Sequence, residues 1–233
     1  NIEGRKYGRI DQDLCIHCDI CREKCRFDAA EYRQASFVIN QERCVGCSLC
    51  IKNCPSDAIE QFERSAGTYI EGNTKYGRMI YGKLSTSVNA PDQMITEIRG
   101  KAQKLASMFS PDMIISDGTS GTGSVQRASM RNADFVVIVL SGLKDDNERL
   151  EEIHKISSQL NKGIGVIINI DNSNSDNQSI LKYCNTNNIP VLGTLEYIPE
   201  IARAVDRGKI AYENLPAKKE LFDNIFRSIK AHI

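Results

Sequence analysis

The chain of 233 residues has no tryptophan, only 6 prolines, and an aromatic content of 6%. It also lacks net charge, because 30 Lys and Arg balance 30 Asp and Glu, so no overall basic field exists to condense it onto nucleic acid or an anionic membrane. No apolar run approaches the ~20 residues that cross a bilayer. The opening residues, Asn1-Ile2-Glu3-Gly4-Arg5-Lys6, have no apolar core of the kind a signal peptide needs. These absences argue against nucleic-acid binding, a membrane span and secretion. They point to a cytoplasmic protein with length for one or two buried cores. What the chain has in quantity is cysteine: nine in all, eight of them between Cys15 and Cys54.

The eight read Cys15-x2-Cys18-x2-Cys21-x3-Cys25 and Cys44-x2-Cys47-x2-Cys50-x3-Cys54-Pro55. A disulfide framework belongs to short secreted domains, whereas a large cysteine-poor region follows here. Structural zinc takes four ligands, and its ribbons separate two pairs widely. A third cysteine after two more residues, and a fourth after another three, fits a cubane cluster. One tight loop then serves three irons, and the fourth iron takes its ligand from the other run. That rule assigns Cys15, Cys18, Cys21 and Cys54 to one [4Fe–4S] cluster and Cys44, Cys47, Cys50 and Cys25 to a second. Iron fully ligated by thiolate leaves no open site, so no catalytic residue is expected in residues 1–66. A ferredoxin-like module for one-electron transfer is.

A shift of 29 residues lays Cys15 on Cys44, Ile20 on Leu49, Cys25 on Cys54, Asp28 on Asp57 and Ala29 on Ala58. Each half is therefore expected to be a cluster loop followed by a short helix, flanked by short strands such as Ser36-Phe37-Val38-Ile39. The halves differ at Pro55, where the first run has Arg26, and at His17, where the second has Gly46. That position favours positive φ, easy for glycine and tolerable for histidine. His17 reads as an exposed loop residue, since the thiolates complete the ligand count.

Residues 67–90 read as a connecting region with one or two strands. From residue 91 to 233 the pattern is α/β. Met113-Ile114-Ile115, Phe135-Val136-Val137-Ile138-Val139-Leu140, Ile164-Gly165-Val166-Ile167-Ile168-Asn169 and Ile189-Pro190-Val191-Leu192-Gly193 are short apolar runs of the kind buried in a parallel sheet. Helical stretches are expected at 91–109, 144–160, 176–186, 199–205 and 218–229. Ligands of such sheets sit at the carboxyl ends of strands, which singles out Asp117-Gly118-Thr119-Ser120-Gly121, Ser141-Gly142, and Asn169 with Asp171. The glycine-rich turn is open to two readings. Its amides could hold phosphate with Asp117 reaching a magnesium-bound water, or Asp117 caps a helix and the glycines serve the turn. Cys184 reads as a small buried hydrophobe, and His154 and His232 as helix-surface residues without a role.

Taken together, the two parts resemble the MinD/ParA-superfamily P-loop ATPases that carry an inserted two-cluster ferredoxin domain. The resemblance runs through Cys25-Arg26-Phe27-Asp28-Ala29-Ala30, Cys54-Pro55-Ser56-Asp57-Ala58-Ile59, Gly82-Lys83-Leu84, Ile114-Ile115-Ser116-Asp117-Gly118-Thr119-Ser120-Gly121, Val166-Ile167-Ile168-Asn169 and Ile189-Pro190-Val191-Leu192-Gly193. It implies a bacterial-type 2[4Fe–4S] ferredoxin domain (α+β) joined to a parallel-sheet, Rossmann-like P-loop NTPase domain. It implies ATP and Mg2+ as ligands, with Asp117 and Gly118 at the magnesium, Gly121 near the γ-phosphate and Asn169 at the adenine. A homodimer of the complete protein and a redox protein partner follow as well.

The departures are specific. No Gly-x-x-x-x-Gly-Lys-[Ser/Thr] segment occurs, although its amides and lysine are what hold the phosphates. Thr119-Ser120 stands where the family has Pro-Pro, and Ile170-Asp171 where a basic residue is usual. The expectation is a fragment whose P-loop strand lies upstream, inactive as an ATPase alone, with an open apolar sheet edge beside residues 113–116. The function expected is electron transfer coupled to nucleotide state. The alternatives are a non-enzymatic electron carrier, or a cluster-assembly scaffold, with the α/β part as docking platform.

Overall fold

The computed structural model describes residues 6–63, 65, 67–85, 91–118, 123–143, 145–170 and 177–233. The chain forms two compact units, Asn1–Ser129 and Met130–Ile233.

The first unit opens with β1 (Lys6–Ile10), α1 (Ile20–Glu23), β2 (Ala30–Arg33), β3 (Ser36–Ile39), α2 (Leu49–Lys52) and β4 (Ile59–Glu63). β1 pairs antiparallel with β4, placing Tyr7 opposite Phe62 and Ile10 opposite Ile59. β2 pairs antiparallel with β3, placing Tyr32 opposite Phe37. The 29-residue repeat is visible bond by bond. Asp11 N–H donates to the Ala58 carbonyl at 2.7 Å, and Asn40 N–H to the Ala29 carbonyl at 2.6 Å. Gln12 Nε2 donates to the Phe37 carbonyl at 2.8 Å, while Gln41 Nε2 donates to the Gly8 carbonyl at 3.3 Å. Each half thus sends a glutamine amide into the first strand of the other. Helices of four residues cannot stand by propensity; these are held by what surrounds them.

Next come β5 (Gly67–Thr74), β6 (Gly77–Leu84) and α3 (Pro91–Phe109). The connecting region expected at 67–90 contains an antiparallel ribbon of two eight-residue strands. One face of the ribbon lies tight against α3. A Cβ built on Gly67 would meet Met94 Cε at 2.5 Å, and one on Gly82 would meet Ile98 Cδ1 at 2.3 Å. Met94 is buried beside Tyr7, with Cys44, Phe62, Tyr69 and Ile98 packed around them. Lys101 Nζ lies 4.2 Å from the Tyr69 ring centre, a cation–π contact that fastens α3 to β5. The ribbon and α3 are therefore parts of the cysteine-rich unit. The strand expected at 113–115 is not formed. Residues 113–118 have no ladder partner among the described residues, and Ile115 is 84% exposed. Three apolar residues do not make a strand unless a neighbour takes up their backbone groups.

α4 (Ser124–Met130) crosses the division between the units. The second unit consists of β7 (Phe135–Leu140), α5 (Asp146–Gln159), β8 (Gly163–Asn169), α6 (Gln178–Thr186), β9 (Val191–Leu195), α7 (Pro199–Asp206), α8 (Ala211–Asn214) and α9 (Lys219–Lys230). Its strands form a parallel sheet in the order β7-β8-β9. Two successive crossovers of one hand in one direction place both connecting helices on the same face. Accordingly, Leu150 of α5 and Ile180 and Cys184 of α6 pack with Ile138, Leu140, Ile164, Val166 and Ile168. α9 covers the other face, where Ile225 meets Ile167 and Leu192. Burial on both sides is why residues 164–168 form a continuous apolar run. The last strand begins at Val191, later than expected, because Pro190 has no N–H to give the ladder; its carbonyl accepts from Val166 at 2.9 Å. Cys184 is fully buried, and burial pushes its thiol pKa up. His154 is half-buried rather than on the surface, because its Nδ1 lies 3.1 Å from the Tyr183 hydroxyl across the α5–α6 seam.

The loop after β7 is tied down by a carboxylate. Asp146 is 2% exposed, and its Oδ2 accepts from the N–H groups of Ser141 at 2.7 Å and Leu143 at 3.1 Å. Truncation would leave these two part-buried donors without their acceptor, at about 1–2 kcal/mol each. Asp146→Ala should therefore lower the urea midpoint of the full chain by an amount corresponding to about 2–4 kcal/mol. An unchanged midpoint would show that water satisfies the loop.

Candidate metal centres

The cysteine loops owe their curvature to alternating left-handed residues. His17 (φ 54°) and Asp19 (φ 65°) in the first run match Gly46 (φ 71°) and Ser48 (φ 62°) in the second. Such conformations turn backbone N–H groups toward a common concavity, a nest suited to negative charge. The histidine expected to tolerate positive φ does adopt it, its ring 5.9 Å from that of Phe37. One turn of helix follows each loop, then Cys25 or Cys54, then Asp28 (φ 49°) or Asp57 (φ 51°). That reversal aims the next N–H back at the cysteine. Ala29 N–H donates to Cys25 Sγ and Ala58 N–H to Cys54 Sγ, both at 3.3 Å.

Two cavities lie under these loops. One, partly open to solvent, is lined by Cys15, Cys18, Cys21 and Cys54 together with Ile10, Ile20, Phe37 and Ile59. The other, also partly open, is lined by Cys44, Cys47, Cys50 and Cys25 with Ala30, Ile39, Leu49 and Ile51. In each, three cysteines of one run meet the last cysteine of the other. All of these thiols are free of disulfides. Among the described residues, no group of three or more His, Cys, Asp or Glu side chains closes around a single ion. Four thiols around a void with an apolar wall fit a polynuclear iron–sulfide core better than they fit one zinc.

Exposure varies around each cavity. Cys21 is buried, Cys18 and Cys47 are exposed, and the others are half-buried. Burial pushes the Cys21 thiol up to about 11 and raises Cys50 as well. At Cys54 burial also acts upward, but hydrogen bonds from Ser56 and Ala58 outweigh it and the pKa falls. Asp19, which borders the first cavity, is engaged by Arg22, whose Nε lies 2.7 Å from its Oδ1.

The sequence-predicted nucleotide residues have a different standing. Asp117 and Gly118 are exposed, in a stretch of the first unit without regular structure. Asn169 is exposed at the carboxyl end of β8 in the second unit. Gly121 and Asp171 lie outside the described residues. Two residues of the cysteine site escaped the sequence reading. Ser56 Oγ lies 3.7 Å from Cys54 Sγ, and Gly8 of β1 backs the second cavity. The repeat was the available signal for Ser56, since it aligns with Phe27. Gly8 had none.

A family model for a 4Fe-4S dicluster domain matches residues 8–61. No curated protein matches the chain. Residues 8–61 are thus an iron–sulfur, ferredoxin-like domain, and the cysteines at 15–25 and 44–54 are the residues that fit cluster binding.

A Cβ on Gly8 would stand 2.7 Å from Ile39 Cδ1, 3.2 Å from Ile59 Cγ2 and 3.6 Å from Cys50 Sγ. Gly8→Val should therefore crowd the cavity of Cys25, Cys44, Cys47 and Cys50. Anaerobically reconstituted protein should lose about half its iron, a fraction that follows from disabling one of two centres. Full iron content in the variant would show that Ile39 yields instead.

Proposed function

We propose that this protein carries single electrons between redox partners on two [4Fe–4S] clusters. Cys15, Cys18, Cys21 and Cys54 hold one cluster, and Cys44, Cys47, Cys50 and Cys25 hold the other. The observation that carries this reading is the pair of cavities, each lined by three cysteines of one run and the last of the other. When bound, each cluster supplies a one-electron redox centre. The chain's own residues do the rest. Eight thiolates hold iron and leave no position for substrate. Ile10, Phe37 and Ile59 on one side, and Ile39, Leu49 and Ile51 on the other, limit water at the thiolates. Such a shell, with amide donors such as Ala29 and Ala58, tunes the centre. Cys18 and Cys47 are exposed, and mark the edge at which a partner protein approaches.

A second element of this reading concerns the α/β unit, which we take to be the nucleotide-responsive part of a MinD-type ATPase. Its support is a three-stranded parallel sheet with Asn169 exposed where strand ends collect ligands. In this unit Asn169 would belong to the base; Asp117, Gly118 and Gly121, for which the resemblance implies magnesium and phosphate, precede it in the chain. No Gly-x-x-x-x-Gly-Lys-[Ser/Thr] segment occurs in the sequence, since the run Gly77 to Lys83 continues with Leu84 and forms strand β6, so this chain alone is expected not to bind ATP with magnesium. Calorimetry showing micromolar affinity would overturn that expectation.

The cluster assignment is tested by anaerobic iron and sulfide analysis, with about eight of each expected per chain. Cys54→Ala should disturb only the centre of the first run, and Cys25→Ala only that of the second, as read by electron paramagnetic resonance after dithionite reduction. One or two zincs per chain, with no reducible centre, would defeat the proposal. Reversible reduction with retention of the clusters favours an electron carrier; their loss to an apo-acceptor protein favours a scaffold.

A further inference from the structure

We infer that the Ser56 hydroxyl makes the two centres electronically unequal, raising the reduction potential of the Cys15/Cys18/Cys21/Cys54 cluster alone. The inference rests on the two-cluster reading above and adds a tuning residue to it.

The repeat is the reason the asymmetry can be isolated. The amides of Ala29 and Ala58 reach their cysteine sulfurs at the same 3.3 Å, and Asp28 and Asp57 share nearly the same positive φ. Between each cysteine and its amide donor the symmetry breaks. Phe27 borders the cavity of the second run, while Ser56 borders that of the first, with its Oγ 3.7 Å from Cys54 Sγ. An iron-bound Cys54 is a thiolate without a proton, so the hydroxyl is the only group of that pair able to donate. The phenyl ring of Phe27 has no such donor.

Reduction adds one electron to a cluster, drawn here from a low-potential one-electron donor such as dithionite or a reduced viologen. The added charge is shared with the sulfurs. A hydrogen bond to sulfur therefore stabilises the reduced form more than the oxidised form and raises the potential. Other charges also differ between the halves. Asp19 borders the first cavity, where Arg22 engages it, and Lys6 borders the second. These charges remain in every variant below, so changes within a series report on residues 27 and 56.

The experiment is a potentiometric titration of the full chain, anaerobically loaded and followed by electron paramagnetic resonance. Ser56→Ala should move one of two waves to lower potential and leave the other in place, at unchanged iron content. Ser56→Thr, which keeps the hydroxyl, should hold the wild-type value. Phe27→Ser should move the other wave upward. The inference is overturned if Ser56→Ala moves neither wave or both equally, or if Ser56→Thr moves its wave as far as alanine does. Wild-type protein lacking about eight irons, or showing one reducible centre, would instead defeat the two-cluster reading before any variant is compared.

Discussion

The exchange of the fourth cysteine is the constraint on which the first unit depends. Because Cys54 faces the cavity of the first run and Cys25 that of the second, neither half can complete a centre by itself. The protein groups around the centres repeat the exchange. Gln12 and Gln41 each reach a carbonyl of the opposite half, and the amides of Asp11 and Asn40 are likewise paired across the repeat. The local core holds Ile10, Cys21, Ala30, Phe37 and Ile59, with Cys15, Cys25, Cys50 and Cys54 packed against them. Its metal-ligating residues are also its packing residues. In so short a segment the apolar area is small, so the free energy of holding iron and sulfide is in large part folding free energy.

How much of this was legible in the sequence follows from how local each determinant is. Ligation by three thiols of one loop is set by spacing over a few residues, so the cysteine pattern could be read directly. So could the positive φ at position 17, since a homologous loop within the chain has glycine there. The central strand β8 was legible because covering both faces of a parallel strand writes a continuous apolar run. Met113-Ile114-Ile115 wrote a similar run and formed no strand, because an apolar triplet carries no information about whether a ladder partner exists. The β5–β6 ribbon was visible only as weak alternation. A side chain at Gly82 would run into Met94 and Ile98 of α3, and one at Gly67 into the Lys83 carbonyl of β6 as well as Met94, both facts of tertiary structure. Asp146 was missed for a related reason. It accepts from Ser141 and Leu143 on the preceding loop, a pattern that no capping signature announces.

The symmetry of the repeat is near-complete at the backbone and breaks at side chains. Helices, left-handed residues and sulfur-directed amides recur after 29 residues, which fixes the geometry of both centres alike. Among the positions that do not recur, His17 with Gly46, Asp19 with Ser48, Arg26 with Pro55, and Phe27 with Ser56 lie within two residues of a cysteine. Duplicated backbone therefore sets where the cysteine sulfurs stand, while unduplicated side chains set what surrounds each cavity. A carrier of two identical centres would gain capacity. One with unequal centres gains direction, because an electron entering at the lower potential relaxes toward the higher.

The two units draw their stability from different sources. In the second, Leu150, Val166, Ile168, Ile180 and Cys184 form an apolar core, with Asp146 and Ser157 buried and hydrogen-bonded, and α9 covers the opposite face through Ile225. In the first, thiols sit where a core would place methyl groups, and burial pushes the pKa values of Cys21 and Cys50 up. Whatever iron and sulfide contribute to folding therefore enters through the first unit, where the cysteines are packing residues.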